Sequence, residues 1–435
     1  MFEKNQKKVL NAWCMYDWAN SVHNLVITTV VFPMYFLSTA VNEDGGDVIS
    51  FFGLSITNSV LYSYTISFAT FFLVLLNPLL TAMADYSGRK KLFMQFFCYL
   101  GALSCAYFFF FTKNNINSSI IAFGLSIIGW GGSIVFYNSY LPEIATEDKY
   151  DQLSARGFAF GYVGSVLLLI FNLLLIMQPT LFGLTDADSA SGLTARISFL
   201  TVGIWWIAFA QIPFYFLPKD VANPYQSAWI KNSFTELKKV YSQLKERVLL
   251  KRFLVAFFIY DMGVMTVIYV ATLFADKELA IPKQGLIITL LLIQLVAIPG
   301  SYLASKLSIK YGNTIALRIE IFLWALVPLG AYFTTTAEQF YVIAAVVGLI
   351  MGGIQSLSRS TFAKLIPDDT TQTASFFGFY DIVEKLATAL GTLIFGGIIQ
   401  LTGEMLNSVL FLLILFVIGF ALLTRIPSQK IYADR

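Results

Sequence analysis

With 435 residues, 57% of them hydrophobic and only 13% charged, and a mean hydropathy of +0.70, the chain carries more apolar surface than a water-soluble fold can hide. A net charge of +3 leaves no nucleic-acid footprint. The three cysteines, Cys14, Cys98 and Cys105, sit in apolar stretches without a CxxC or a histidine cluster, which excludes a disulfide framework and a zinc site.

About 20 mainly apolar residues are needed to cross the hydrocarbon layer as a helix. Taken in chain order, twelve stretches qualify: about 13–40, 56–83, 92–112, 118–141, 157–178, 197–217, 253–274, 284–305, 314–334, 339–362, 374–402 and 406–426. The first follows the basic tail MFEKNQKKVLNAW but is too long for a signal-peptide core, so it reads as an uncleaved span. Basic residues cluster in the tail and in every second link. Of the 29, only Lys113, Arg196, Lys277 and Lys283 fall on the opposite side, and Lys385 lies inside a span. This asymmetry predicts that both termini and the long middle link face the cytoplasm.

That middle link, 218–252, divides the spans six and six, giving bundles at 1–217 and 253–435. Within it Ile230, Phe234, Leu237, Tyr241, Leu244 and Val248 recur at spacings of three and four, the pattern of an amphipathic helix resting on the membrane surface. The halves echo each other. Tyr16-Asp17 opens the first span and Tyr260-Asp261 the seventh. Gly131-Gly132 and Gly352-Gly353 mark the fourth and tenth, and Phe160-Gly161-Tyr162 and Phe377-Gly378-Phe379 the fifth and eleventh. Such internal repeats characterise transporters whose bundles rock about a shared midplane site.

Between the second and third spans the chain reads TAMADYSGRKKLF. Gly88 permits a tight turn, and Arg89, Lys90 and Lys91 hold it in the cytoplasm. This resembles the major facilitator signature G-x-x-x-D-x-x-G-R-[RK], with Thr81 in place of its first glycine. After span eight, LASKLSIKYGNT keeps Gly312 but has Ile309 where the acid would stand. The resemblance implies a latch in which Asp85, with Gly88 and Arg89, meets a neighbouring helix terminus or base in one state and releases it in the other. The stretches WCMYDWANSVHN, FIYDMGVMT, GGIQSLSRSTFAKLIP and FFGFYDIVEKLATALG together resemble the vacuole effluxer-like branch of that superfamily, known from fungal vacuolar amino-acid exporters and their bacterial relatives. The fold this implies is all-α: twelve transmembrane helices in two pseudo-symmetric six-helix bundles, working by alternating access. The bacterial relatives imply the plasma membrane. Amino-acid efflux is an expectation from the resemblance alone.

Charged groups inside spans are the candidates for machinery, because an ionised side chain at membrane depth costs roughly 2.5–3.5 kcal/mol on insertion scales. Asp17, Asn20, Ser21 and Asn24 fall at i, i+3, i+4 and i+7, one helical stripe. Asp381, Glu384, Lys385 and Thr388 repeat that spacing in span eleven. There Asp381 and Lys385 can pair, which leaves Glu384 without a local partner and makes Arg359, after Gln355 and Ser358, a candidate for it. Asp261 poses the same problem in span seven. A carboxyl that gains and loses a proton would suit coupling; a buried acid–base network holding helices together is the competing reading. His23, the only histidine, reads either as a relay or as a hydrogen-bonded packing residue. Gly157–Gly161 and Gly348–Gly352 read as sites of close helix approach.

The expected partners are a small polar solute, protons and the bilayer, with no cofactor, metal or nucleic acid, and the chain reads as a monomer. A lipid-like cargo, for which some of the 41 phenylalanines could line a cavity, stays open, as does a transport-dead scaffold on the same fold. An enzyme is excluded by the lack of a GxxxxGK[ST] loop, a metal-ligand set or a serine–histidine–acid arrangement.

Overall fold

The structure, a computed structural model, describes residues 3–42, 44–221, 223, 229–367, 370–403 and 405–427, with no side-chain description for 229–231. Ile230 of the linker stripe and the basic residues Lys430 and Arg435 therefore lie outside the described side chains.

Among the described residues twelve helices are long and apolar enough to cross a membrane. Spans 1 to 6 are Lys7–Thr39, Asn58–Ser87, Lys90–Phe110, Lys113–Ile144, Glu147–Met177 and Leu193–Phe216. Spans 7 to 12 are Val248–Lys277, Lys283–Tyr311, Asn313–Tyr332, Ala337–Leu365, Thr373–Thr402 and Met405–Thr424. Every apolar stretch read from the sequence matches one of them, overhanging its helix by at most two residues. The helices extend beyond the apolar stretches where polar end residues continue the backbone hydrogen bonding, notably through Lys283–Tyr311. Within the first six spans and within the last six, packing follows the same pattern: 1 on 5 and 6, 3 on 4 and 6; then 7 on 11 and 12, 9 on 10 and 12. The two bundles meet along spans 5 with 8 and 10, and 2 and 4 with 11.

Glycines set several of these approaches. A Cβ on Gly348 or Gly352 would sit 2.5 Å from the Ile293 carbonyl oxygen or 2.3 Å from that of Ala297, so spans 8 and 10 pack backbone to backbone. Gly157 and Gly161 of span 5 instead make room for side chains of span 1, where a Cβ would stand 2.6 Å from Asp17 Oδ2 or 2.4 Å from Ser21 Oγ.

Span 1 is not one regular helix. Lys7–Val22 is α-helical, His23–Val30 is π-helical, and Val31–Thr39 returns to α. This breaks the expected stripe: Asp17 and Asn20 are buried, whereas Asn24, one turn later and inside the widened segment, is exposed. A short hairpin absent from the sequence reading, β1 (Val48–Phe51) and β2 (Leu54–Thr57), follows span 1. Its two-residue turn puts Phe52 and Gly53 at positive φ, 48° and 87°, as right-twisted strands favour.

The linker does form a helix, Trp229–Glu246, but its buried face differs from the predicted stripe. Ser233, Val240 and Leu244 are buried, and Phe234 and Tyr241 are half-exposed at its edge. Val248 does not belong to it. The chain breaks at Arg247, and Val248 opens span 7, mostly exposed. The helix docks chiefly on span 2, with smaller contacts to spans 7 and 11. Asn232 Nδ2 donates to the Tyr86 hydroxyl at 2.7 Å, Gln372 bonds Glu236, and the Tyr241 and Phe379 rings lie 6.2 Å apart.

Candidate functional site

The side of the molecule that carries the basic links is closed by three polar clusters, each joining the two bundles. At the deepest, Arg359 of span 10 enters the first bundle. Both Nη1 and Nη2 lie 3.4 Å from Asp17 Oδ2; Nη1 donates to Asn138 Oδ1 at 3.1 Å, Nε to Ser154 Oγ at 2.9 Å, and Nη2 to the Ser154 carbonyl at 2.9 Å. The guanidinium carbon is 4.2 Å from the ring centroid of Phe158, 4.8 Å from Trp13 and 5.5 Å from Tyr137. A planar, weakly hydrated cation suits this box of aromatic faces and fixed acceptors better than an ammonium would. The Tyr137 hydroxyl donates to Asp17 Oδ2 at 2.7 Å, and Trp13, stacked on Tyr137, donates to its carbonyl. Gly157 makes room: a Cβ there would stand 2.6 Å from Asp17 Oδ2. Arg359 thus answers Asp17 across the bundles, not Glu384 as its spacing suggested. The reason is helix rotation, since the face of span 10 that carries Arg359 looks toward spans 1, 4 and 5.

Nearer the basic face, Lys364 at the end of span 10 meets Asp151 at the start of span 5, Nζ to Oδ2 2.6 Å. Asn313 and Ser308 complete the knot: Ser308 Oγ donates to Asp151 Oδ2 at 2.6 Å, Asn313 Nδ2 donates to Asp151 Oδ1 at 2.8 Å, and Asn313 Oδ1 accepts from Lys364 Nζ at 2.7 Å. The third cluster is at the signature turn. Gly88 adopts φ 64°, the left-handed conformation a tight helix end requires. It leaves Asp85 against the N-terminus of span 11, accepting from Ser375 N and Oγ, both 2.7 Å, and from Ala374 N at 3.2 Å. Free N–H groups and the dipole there favour an anion. Beside it Lys90 pairs with Glu143, which also accepts from Thr373 Oγ1 at 2.6 Å. Lys90 and Lys91 are therefore not solvated loop charges, as expected, but buried. Lys91 Nζ donates to the carbonyls of Phe214 and Leu217, the orphan acceptors at the end of span 6. Arg89 alone of the three stays exposed.

Farther from the basic face, Asp381 accepts from Asn77 Nδ2 of span 2 at 2.6 Å and pairs with Lys385. The Tyr162 hydroxyl donates to Gln355 Oε1 at 2.7 Å, again across the bundles. Asp261 and Glu384 stand on the packed spans 7 and 11, each four residues beyond a ring of the stacked pair Phe257 and Tyr380. Phe257 stacks on Tyr380 at 4.5 Å on one side of them, and Gly391 packs against Met262 and Thr266 on the other. No described group donates to Asp261 Oδ2, and neither acid has an ion-pair partner among the described residues.

Other predicted residues stand apart. Asn20 turns back onto the Tyr16 carbonyl at 2.8 Å, and Asn24 joins neither charged cluster. His23 is buried between Trp130 and Trp206, with Nε2 3.0 Å from Ser126 Oγ and no charged neighbour, as a packing residue should be. A cavity in the second bundle is lined by apolar residues alone, among them Val267, Phe274, Val327, Phe340 and Leu412, so it offers a polar solute nothing. Sequence reasoning missed Asp151, Lys364, Asn313, Glu143 and Asn77. Each looked like an ordinary loop charge or an isolated polar residue, and their partners lie tens to hundreds of positions away.

A family model described as vacuole effluxer Atg22 like matches residues 5–434. An uncharacterized MFS-type transporter, YxiO of Bacillus subtilis (strain 168), is 35% identical over 434 residues, covering 98% of this chain and 96% of its own length. Autophagy-related protein 22-2 of Penicillium rubens is 25% identical over 495 residues, covering 90% and 80%. In fold the chain is similar to the E. coli fucose:proton symporter FucP, with TM-score 0.70 and 14% identity over 98% of both chains. It is likewise similar to the proton:xylose symporter XylE, with TM-score 0.69 and 10% identity over 97% and 96%.

Proposed function

We propose, on the premise that this chain belongs to the vacuole effluxer Atg22-like family of major facilitator transporters, that it exports a small polar solute of the amino-acid class by proton-coupled alternating access. The observation that carries the reading is the distribution of ionisable groups. They lie inside the spans, they face protein, and they fall into two sets. One set joins the bundles on the basic face: Asp17–Arg359, Asp151–Lys364 and Asp85 on span 11. The other, Asp261, Asp381, Glu384 and Lys385, lies deeper, on spans 7 and 11. In this reading the basic face is the cytoplasmic one in a bacterial plasma membrane, both termini lie there, and the protein works as a monomer. The first set is then the inner gate, shut in the conformation described, and Asp85 with Gly88 its latch. The second set carries coupling and solute.

Opening the gate requires Arg359 to leave its aromatic box. Its hydrogen bonds are charge-assisted, so they hold the closed state strongly yet can be exchanged for water when the bundles part. The decisive experiment is uptake and efflux of labelled amino acids in proteoliposomes under an imposed pH gradient. Flux that follows the gradient in the wild-type protein, and that Glu384→Gln abolishes while solute binding persists, is the expected result. Unchanged gradient-driven flux in Glu384→Gln would remove that residue from coupling.

A further inference from the structure

Among the described residues, every acid well inside a span but three has a base or a set of donors. Asp17 has Arg359, Asp151 has Lys364, and Asp381 has Lys385 and Asn77. Glu320 is one of the remaining three, but it is sealed against Gly353 and Ala304 within the second bundle. The other two, Asp261 and Glu384, stand at one level of the packed spans 7 and 11, one turn beyond the Phe257–Tyr380 stack, and Asp261 is 7% exposed with its Oδ2 buried and accepting no hydrogen bond from any described group.

We infer that Asp261 and Glu384 together form the binding site for a primary ammonium group on the transported solute, and that protons and this ammonium occupy the pair in exchange; the inference rests on the transport reading above and names its solute class. The surroundings fit a cation. On span 11 Tyr380 lies one turn before Glu384, stacked on Phe257 of span 7 at 4.5 Å, so aromatic rings stand beside the pair. The Tyr260 hydroxyl is engaged with Ser358 at 2.8 Å. The basic groups that approach from packed elements are already committed: Lys385 to Asp381 on span 11, and Arg359 of span 10 to Asp17. Span 12, the other helix against span 7, has no titratable residue and brings Phe416 against Gly263. An ammonium is therefore the group that the pair lacks.

The bookkeeping of charge gives the exchange. Two carboxylates without a base in low dielectric do not both stay ionised at little cost; in the proposed exchange the empty pair carries two protons. When R–NH3+ enters, one carboxyl gives its proton to water and the resulting carboxylate pairs with the ammonium. The pair is neutral before and after, one proton has left for each amine bound, and proton and solute travel in opposite directions.

The test uses purified full-length protein and five probes: leucine, lysine and putrescine, which carry a primary ammonium, and N-acetyl-leucine and glucose, which do not. The first measurement is thermal shift with proton release in weak buffer; the second is flux in proteoliposomes under a pH gradient. The expected result is that the ammonium-bearing probes stabilise the protein, release about one proton each and show at least tenfold more flux than N-acetyl-leucine. Asp261→Asn and Glu384→Gln, each eluting as a monodisperse peak, should lose the proton release, whereas Glu320→Gln should keep it. N-acetyl-leucine or glucose carried as well as leucine would overturn the inference and leave the transport reading standing. Amine binding without proton release, in the wild-type protein and with no variant needed, would overturn the exchange. No shift and no flux with any probe would overturn both this inference and the amino-acid reading beneath it.

Discussion

Tyr16-Asp17 and Tyr260-Asp261 occupy matching places in the two bundles, yet their aspartates have opposite fates. Asp17 is wrapped by Arg359 and Tyr137. Asp261 has no ion-pair partner and no donor to its Oδ2 among the described residues. The same dipeptide stands in both bundles, and the partner of one copy comes from the other bundle. A buried acid answered across the bundles holds them together; one left unanswered is available to a ligand. The two positions should therefore respond to substitution with opposite sign.

The largest effect is expected at Arg359. Replacing it with Met leaves Asp17 buried and uncompensated, which typically costs about 3–5 kcal/mol, whereas the double variant Arg359→Met/Asp17→Leu should recover most of that loss. Apparent melting temperature in detergent reads both. The same single variant should expose Cys14, buried beside Arg156 (Nε to Sγ 3.3 Å), to a membrane-permeant maleimide. A wild-type labelling rate in Arg359→Met would show that the cluster does not hold the face shut. Next comes Gly157→Ala, whose new methyl meets Asp17 Oδ2 and Arg359 within about 3 Å; overpacking of this kind costs ~1–3 kcal/mol. Gly88→Ala follows, since a Cβ in the left-handed region costs roughly 1–2 kcal/mol. The smallest change is expected for Asp261→Asn. Removing an unanswered carboxyl should leave the melting temperature within a degree or two of wild type or raise it, while Asp17→Asn lowers it. Equal destabilisation by the two substitutions would erase the contrast.

Hydropathy made all twelve spans legible, because lipid tolerates few other patterns. The signature turn was legible too, since Gly88 is a local requirement and Asp85 lies one turn away from it. The charges inside spans announced themselves by their cost. Their partners did not. The spacing of span 11 correctly paired Asp381 with Lys385, which are neighbours on one helix. It could not reveal that Arg359 turns to Asp17, 342 positions away, or that Asp151 meets Lys364. Those pairings depend on how each helix is rotated about its axis, and periodicity along one helix carries no information about the orientation of another. The linker shows the same limit: its helix was legible, but the face it would bury was set by Tyr86 and by spans the sequence could not position.

The π-helical segment His23–Val30 has a consequence for span 1 as a whole. A helix advances about 100° per residue, so a stretch with wider turns throws everything after it out of phase with everything before. The N-terminal portion can thus point Asp17 toward the seam between the bundles, while the C-terminal portion sends Phe32 and Phe36 into a knot of rings with Phe108, Phe111, Phe123 and Phe199. A uniform helix would have to give up one of these alignments. Excising a single residue from the widened stretch would swing one end against the other by about a quarter of a revolution, and the two jobs would no longer fit on one rod.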